Sequence, residues 1–264
     1  MHILRTFTVT ATVLFTLACA GMTPEEKAKW EKEQAEKAAA AEQQLTATAA
    51  TLAAIDQKLA TTTELGEVSC DAARIQALVH KDKNELDYQK PSTIRRDLLP
   101  AFAKGPFTGT KDVPAHLSWM NSEWLVKLQS PLEGRADWQV SSDKEWIAER
   151  LSDRAQVLLV YIPTEEAPAK VAKQDGVFTE GVYDMGFFDG FLTLWDFTNG
   201  EFLCSTYFSA ESSSSVQFDD RGLMKTTFEE AVEADFKEQV QNKATEARQR
   251  LTPDLRLGYQ IFEL

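Results

Sequence analysis

Phe197-Thr198-Asn199-Gly200 separates two runs rich in aromatic and branched residues, GFFDGFLTLWD before it and EFLCSTYFSA after it. An Asn-Gly pair supplies the positive-φ residues that a tight turn between twisted strands needs, so the two runs predict a β-hairpin. Upstream, AQVLLVYI (Ala155 to Ile162) is a continuous apolar run of strand length, as expected of a strand buried on both faces. Thr227-x-x-Glu230 forms a capping box before a helix with Phe228, Val232, Phe236, Val240 and Ala244 at four-residue spacing, and Ser142-x-x-Glu145 predicts a shorter helix through Leu151. Asp71 to Lys81 reads as another helix, with Ile75, Leu78 and Val79 on one face. Pro91 to Val140 carries Pro100, Pro106, Pro114 and Pro131 and reads as irregular structure with short helices. After Pro253, Leu255, Leu257, Tyr259 and Ile261 alternate with other residues as in a half-buried strand. This order predicts an α+β, two-layer domain with helices covering a mainly antiparallel sheet.

From Thr23 to Leu59 the chain has no glycine and only Pro24, which suits a helix start, so one long helix is expected. Its first half offers little besides Trp30 and alanines to bury. In its second half Leu45, Leu52 and Leu59 recur every seventh residue, with Ile55 among them. That stripe fits either a short coiled coil or a helix face packed on the following domain; Ala38, Ala41, Thr48 and Thr62 are poor occupants of the remaining core slots. A solvated helix of this length spans roughly 50 Å. The organisation read from the sequence is residues 1–18 as a signal peptide, 19–66 as a helical tether and 67–264 as the α+β domain.

The chain opens with His2 and Arg5 and then runs uncharged from Thr6 to Ala18, the length of a secretory h-region and too short to span a bilayer comfortably. Ala18-Cys19-Ala20 fits an ordinary signal-peptidase site. Thr16-Leu17-Ala18-Cys19 resembles the lipobox of bacterial lipoprotein precursors, with Thr16 where that pattern usually has Leu. The resemblance covers the leader alone. It implies a Cys19 acylated through its sulfur, a lipid bilayer as partner and, because Ala20 rather than Asp follows the cysteine, an outer-membrane address facing the periplasm. By either processing route Cys70 and Cys204 remain as an even pair in an oxidising compartment, so a Cys70–Cys204 disulfide is expected, with two buried thiols as the alternative.

Motifs for chemistry are sparse. His80 and His116 are the only histidines after the leader, and neither sits in a metalloprotease pattern; no C-x-x-C and no G-x-S-x-G occurs. GPFTGTK fails the phosphate-loop spacing. WDFTNGEFLC resembles the turns of quinoprotein-like propeller blades, but it occurs once, and a propeller requires repetition. No cofactor or metal motif is present. With 41 acidic against 28 basic residues the net charge is −13, or −14 once Arg5 leaves with the leader, which lacks the basic footprint of a nucleic-acid binder. Asp184, Asp189, Asp196, Asp219 and Asp220 lie near turns and lack EF-hand spacing. Trp119, Trp124 and Trp138 are read either as core or as an aromatic surface for a glycan or partner.

Two functions remain open on these residues. One is a non-enzymatic envelope lipoprotein that binds an envelope protein or surface component. The other is a secreted or anchored glycan binder or glycoside hydrolase using carboxylates and tryptophans, whose carboxylate separation only a fold can give.

Overall fold

The computed structural model describes residues 23–62, 65–79, 91–109, 120–152, 156–174, 181–216 and 227–251. The leader with Cys19, both remaining histidines, Trp119 and the strand expected over 255–261 lie outside the described residues, as does the side chain of Trp138.

Helix α1 (Pro24–Thr61) is the expected long helix. A reciprocal cap opens it: Thr23 N donates to Glu26 Oε2 at 2.7 Å, and Glu26 N donates to Thr23 Oγ1 at 3.3 Å. The chain divides into two compact units inside this helix, at Gln44 and Leu45. In the first unit, residues 23–44 are exposed or half-exposed, and Lys27–Glu31, Lys29–Glu33 and Lys32–Glu36 approach at 3.7, 3.9 and 3.8 Å. Such i,i+4 pairs add a few tenths of a kcal/mol each, which suits a helix with no core to pack on.

The second unit begins at Leu45 and includes the second half of α1. Leu45, Leu52, Ile55 and Leu59 are at most 2% exposed. They join one apolar cluster with Ile94, Leu98, Leu99, Phe102, Trp124, Leu158, Val160 and Ile162. The heptad stripe is therefore spent inside the chain.

The sheet holds β1 (Ser92–Arg95), β2 (Val157–Ala167), β5 (Phe187–Asp196) and β6 (Glu201–Glu211) in the order β1-β2-β5-β6. Only β1 and β2 run parallel, so the sheet is mainly antiparallel. A separate hairpin pairs β3 (Lys170–Gln174) with β4 (Gly181–Asp184). Period-two alternation sends Leu158, Val160 and Ile162 of β2 to the cluster just described, and Val157, Leu159 and Tyr161 to a second one. That second cluster contains Ile75 of α2 (Ala72–Leu78) and Phe236, Val240, Ala244, Ala247 and Leu251 of α5 (Phe228–Leu251). Helices thus supply apolar residues to both sheet faces, where the sequence led us to expect one.

The hairpin β5–β6 turns at Phe197 to Gly200 as expected. Gly200 has φ +61°, a value most side chains resist. Asp196 anchors the loop: Oδ1 accepts from Thr198 N at 2.9 Å and Asn199 N at 3.1 Å, and Oδ2 accepts from Asn199 Nδ2 at 3.0 Å. Gly190 meets a different demand. A Cβ there would lie 2.4 Å from the Ile162 carbonyl oxygen, beside the register shift between Pro163 and Glu165.

The Thr227 capping box forms, with Thr227 N to Glu230 Oε2 at 2.7 Å and Glu230 N to Thr227 Oγ1 at 3.1 Å. Ser142 is not a cap. It lies inside α4 (Asp137–Ser152), whose start is instead closed by Ala136 N donating to Gln139 Oε1 at 3.1 Å. The pattern Ser-x-x-Glu caps a helix only where the preceding residues leave it, and here five helical residues come first. The proline-rich stretch contains β1, a 3₁₀ helix (Arg96–Lys104) and α3 (Glu123–Gln129). Ser122 and Asn121 close the outer edge of β1, through Ser122 N to Thr93 O at 2.8 Å and Arg95 N to Asn121 Oδ1 at 2.8 Å.

Candidate functional site

Cys70 precedes α2, while Cys204 is fully buried on β6. Their sulfurs are bonded, with Cα atoms 5.0 Å apart across a separation of 134 positions. Backbone pairing brings them together. Val68 N donates to Ser205 O at 3.0 Å and Ser205 N to Val68 O at 3.1 Å, so the segment before Cys70 lies along the outer edge of β6. Glu67 Oε1 accepts from Thr206 Oγ1 at 3.2 Å and from Tyr207 N at 3.3 Å. The predicted pairing is thus present, and it fastens this segment to the sheet.

Among the described side chains, Trp124, Trp146 and Trp195 do not assemble into a platform. Trp124 is 1% exposed and its ring centroid lies 6.0 Å from that of Phe197, inside the cluster shared with α1. Its Nε1 finds no hydrogen-bond partner. Trp195 is likewise buried, and its Nε1 donates to Thr193 Oγ1 at 2.9 Å. Trp146 is half-buried on α4, with Lys127 Nζ 4.1 Å from its centroid and Arg150 Cζ at 5.4 Å. These cations cover the ring that a sugar would need.

Asp189 and Asp235 are each engaged by neighbouring side chains. Asp189 accepts the Tyr207 hydroxyl at 2.9 Å, and this bond holds the Tyr207 phenol above its ordinary pKa. Glu165 stands opposite Asp189 in the β2–β5 register, with Glu165 exposed and Asp189 half-buried. Asp235 binds Ser213, accepting from its N at 2.7 Å and its Oγ at 2.6 Å, with Gln239 Nε2 donating to that Oγ at 3.3 Å. Through these bonds the Ser213 hydroxyl links its segment to α5. Among the described residues, no three His, Cys, Asp or Glu side chains converge as a metal site would require. An open cleft of about 290 Å³ lined by Arg135, Gln139, Ser142 and Asp143 is bridged by the Arg135–Asp143 ion pair.

The principal buried charge went unread in the sequence. Arg95, 3% exposed, donates from Nη1 and Nη2 to the two oxygens of Glu166 at 3.0 and 2.9 Å, and from Nε to Asp97 Oδ1 at 3.0 Å. Burial presses the guanidinium toward losing its proton, but the hydrogen bonds and charges of Glu166 and Asp97 outweigh this and leave its pKa above the ordinary value. The arrangement ties β1 to the far end of β2. Nothing near Arg95 in the sequence marks it, because Glu166 is 71 positions away.

The chain matches no family model, no curated protein and no solved structure.

Proposed function

We propose that this chain is an exported, lipid-anchored protein of the cell envelope, acylated at Cys19, with residues 24–44 as a solvated helical spacer and the unit from Leu45 as a non-enzymatic binding or structural module. The observation that carries this reading is the Cys70–Cys204 bond, since such a bond persists in oxidising compartments and is rare in the cytosol. The apolar leader ending at Cys19 points the same way. Among the described residues no helix is long and apolar enough to cross a membrane; in this reading the acyl chains on Cys19 make the attachment. The first half of α1, exposed along its length and laced with Lys-Glu pairs, has the composition of a spacer.

The glycan reading is left with less support. Trp124 lies inside the core, Trp146 is capped by Lys127 and Arg150, and Asp189 is occupied by Tyr207. In this reading the partner is an envelope protein or other surface component.

Mass spectrometry of the mature chain extracted from membranes tests the anchor: an N-terminal Cys19 bearing diacylglycerol is expected, and Cys19→Ser should move the protein to the soluble fraction. An unmodified mature chain beginning at Gly21 would remove the lipoprotein reading.

A further inference from the structure

We propose that residues 66–71 form a redox-released strap: the Cys70–Cys204 bond holds it on the outer edge of β6, and reduction of that bond lets it leave and uncovers the edge. The strap buries almost nothing of its own. Among the described residues between Leu59 and Ile75 none is fully buried; Leu65 and Cys70 are half-buried, and Val68, which pairs with the edge, is 43% exposed. Its noncovalent ties are few. Val68 and Ser205 exchange two backbone bonds, Ser205 Oγ donates to Gly66 O, and Glu67 Oε1 accepts from Thr206 Oγ1 and Tyr207 N at 3.2 and 3.3 Å. Just beyond the strap, the Arg74–Glu201 ion pair is exposed on both sides and holds weakly. Ordering a backbone run costs conformational entropy at every residue, and hydrogen bonds exchanged with water return only part of it. Buried apolar surface would normally supply the rest, and here the disulfide stands in its place. On either side Leu59 and Ile75 are fixed in the core at 2% and 1% exposure, which confines the release to the residues between them.

Cys204 is fully buried and Cys70 half-buried, so a dithiol reductant reaches the Cys70 sulfur first. One thiolate of the reductant forms a mixed disulfide with Cys70 and displaces Cys204, whose thiolate takes a proton. The second thiolate then attacks the reductant's own sulfur, frees Cys70 to take a proton, and leaves the reductant as a disulfide. Two electrons and two protons thus end on the two cysteines. With the strap gone, Ser205 N–H and C=O and Tyr207 N–H lose the partners that cover them, and a strand edge left open in this way accepts an extended chain. The device is independent of acylation at Cys19.

Amide hydrogen exchange of the full mature chain, read by nuclear magnetic resonance with and without dithiothreitol, tests this. In the reduced protein the amides of Val68 and Ser205 should exchange within about tenfold of unstructured rates, while those of β5 stay protected by about 100-fold or more. Cys70→Ala with Cys204→Ala should give the same pattern without a reductant. In the oxidised protein Glu67→Ala should leave Val68 and Ser205 protected, because the bond rather than the carboxylate holds the strap. Protection of Val68 and Ser205 that persists after reduction, with both thiols open to alkylation, would overturn the proposal. So would an equal loss of protection across β5, or loss of protection at Ser205 in oxidised Glu67→Ala.

Discussion

Cys70 and Cys204 are bonded with Cα atoms 5.0 Å apart although 134 positions lie between them, so one bond closes most of the second unit into a loop. The loop-entropy relation gives on the order of 5 kcal/mol for such a span, with 2–4 kcal/mol the typical yield. Reduction, or Cys70→Ala with Cys204→Ala, should therefore lower the melting temperature by roughly 5–15 °C. Thermal melts with and without a reductant measure it. Identical melts, or two free thiols on alkylation of the unreduced denatured protein, would show that the bond does not form.

The place where the tether ends is a stability question. Reading 19–66 as tether implies that residues up to Thr62 are dispensable, but Leu45, Leu52, Ile55 and Leu59 are buried to 2% exposure or less against Trp124 and β2. Removing residues before Leu45 should leave the melt intact, whereas removing those before Gly66 should abolish cooperative unfolding. On a finer scale, Leu52→Ala should cost about 2–5 kcal/mol. Calorimetry of the two truncations separates the boundaries, and a cooperative transition in the shorter protein would return the whole helix to the tether.

Arg95 offers an ordering test. Its side chain is 3% exposed, while Asp97 and Glu166 keep 39% and 29% of theirs in water. Asp97→Ala with Glu166→Ala strands a buried cation and should cost about 3–5 kcal/mol. Arg95→Met removes the cation and leaves two carboxylates that water can reach, so it should cost less. Urea denaturation of the three proteins gives the order; the reverse order would mean that Arg95 acts mainly through its packing.

The parts of this fold that were legible in sequence are those whose signal is local. The Asn199-Gly200 turn, the unbroken apolar run before Ile162 and the Thr227 box each carry their cause within a few residues, and each forms. The cysteine pairing was reachable by counting alone. What escaped or stayed open depends on distant neighbours: β1 is a strand because β2 lies beside it, while the choice between coiled coil and packed face for Leu45, and between core and surface for Trp124, is decided by residues far along the chain. Ser142 shows the converse failure. A motif that is sound in isolation was overridden when residues upstream extended the helix.

Tyr161 and Arg248 give the last prediction, which concerns alkaline pH. Tyr161 sits on β2 within the cluster shared with α5, and burial pushes its phenol up to about 12, a shift that the nearby Arg248 charge partly opposes. The unfolded chain loses the same proton near 10. Below that pH both states hold the proton, and Tyr161 adds no pH dependence. Between about 10 and 12 the unfolded state binds fewer protons than the folded one, so stability falls as pH rises. At about 1.4 kcal/mol per tenfold, the loss attributable to this phenol reaches roughly 3 kcal/mol by pH 12. Tyr161→Phe has no proton to lose, so the gap between the two proteins in urea-derived stability should shift in favour of the variant by that amount from pH 9 to 12. A constant gap across this range would mean that the folded protein admits the phenolate, and that water reaches Tyr161.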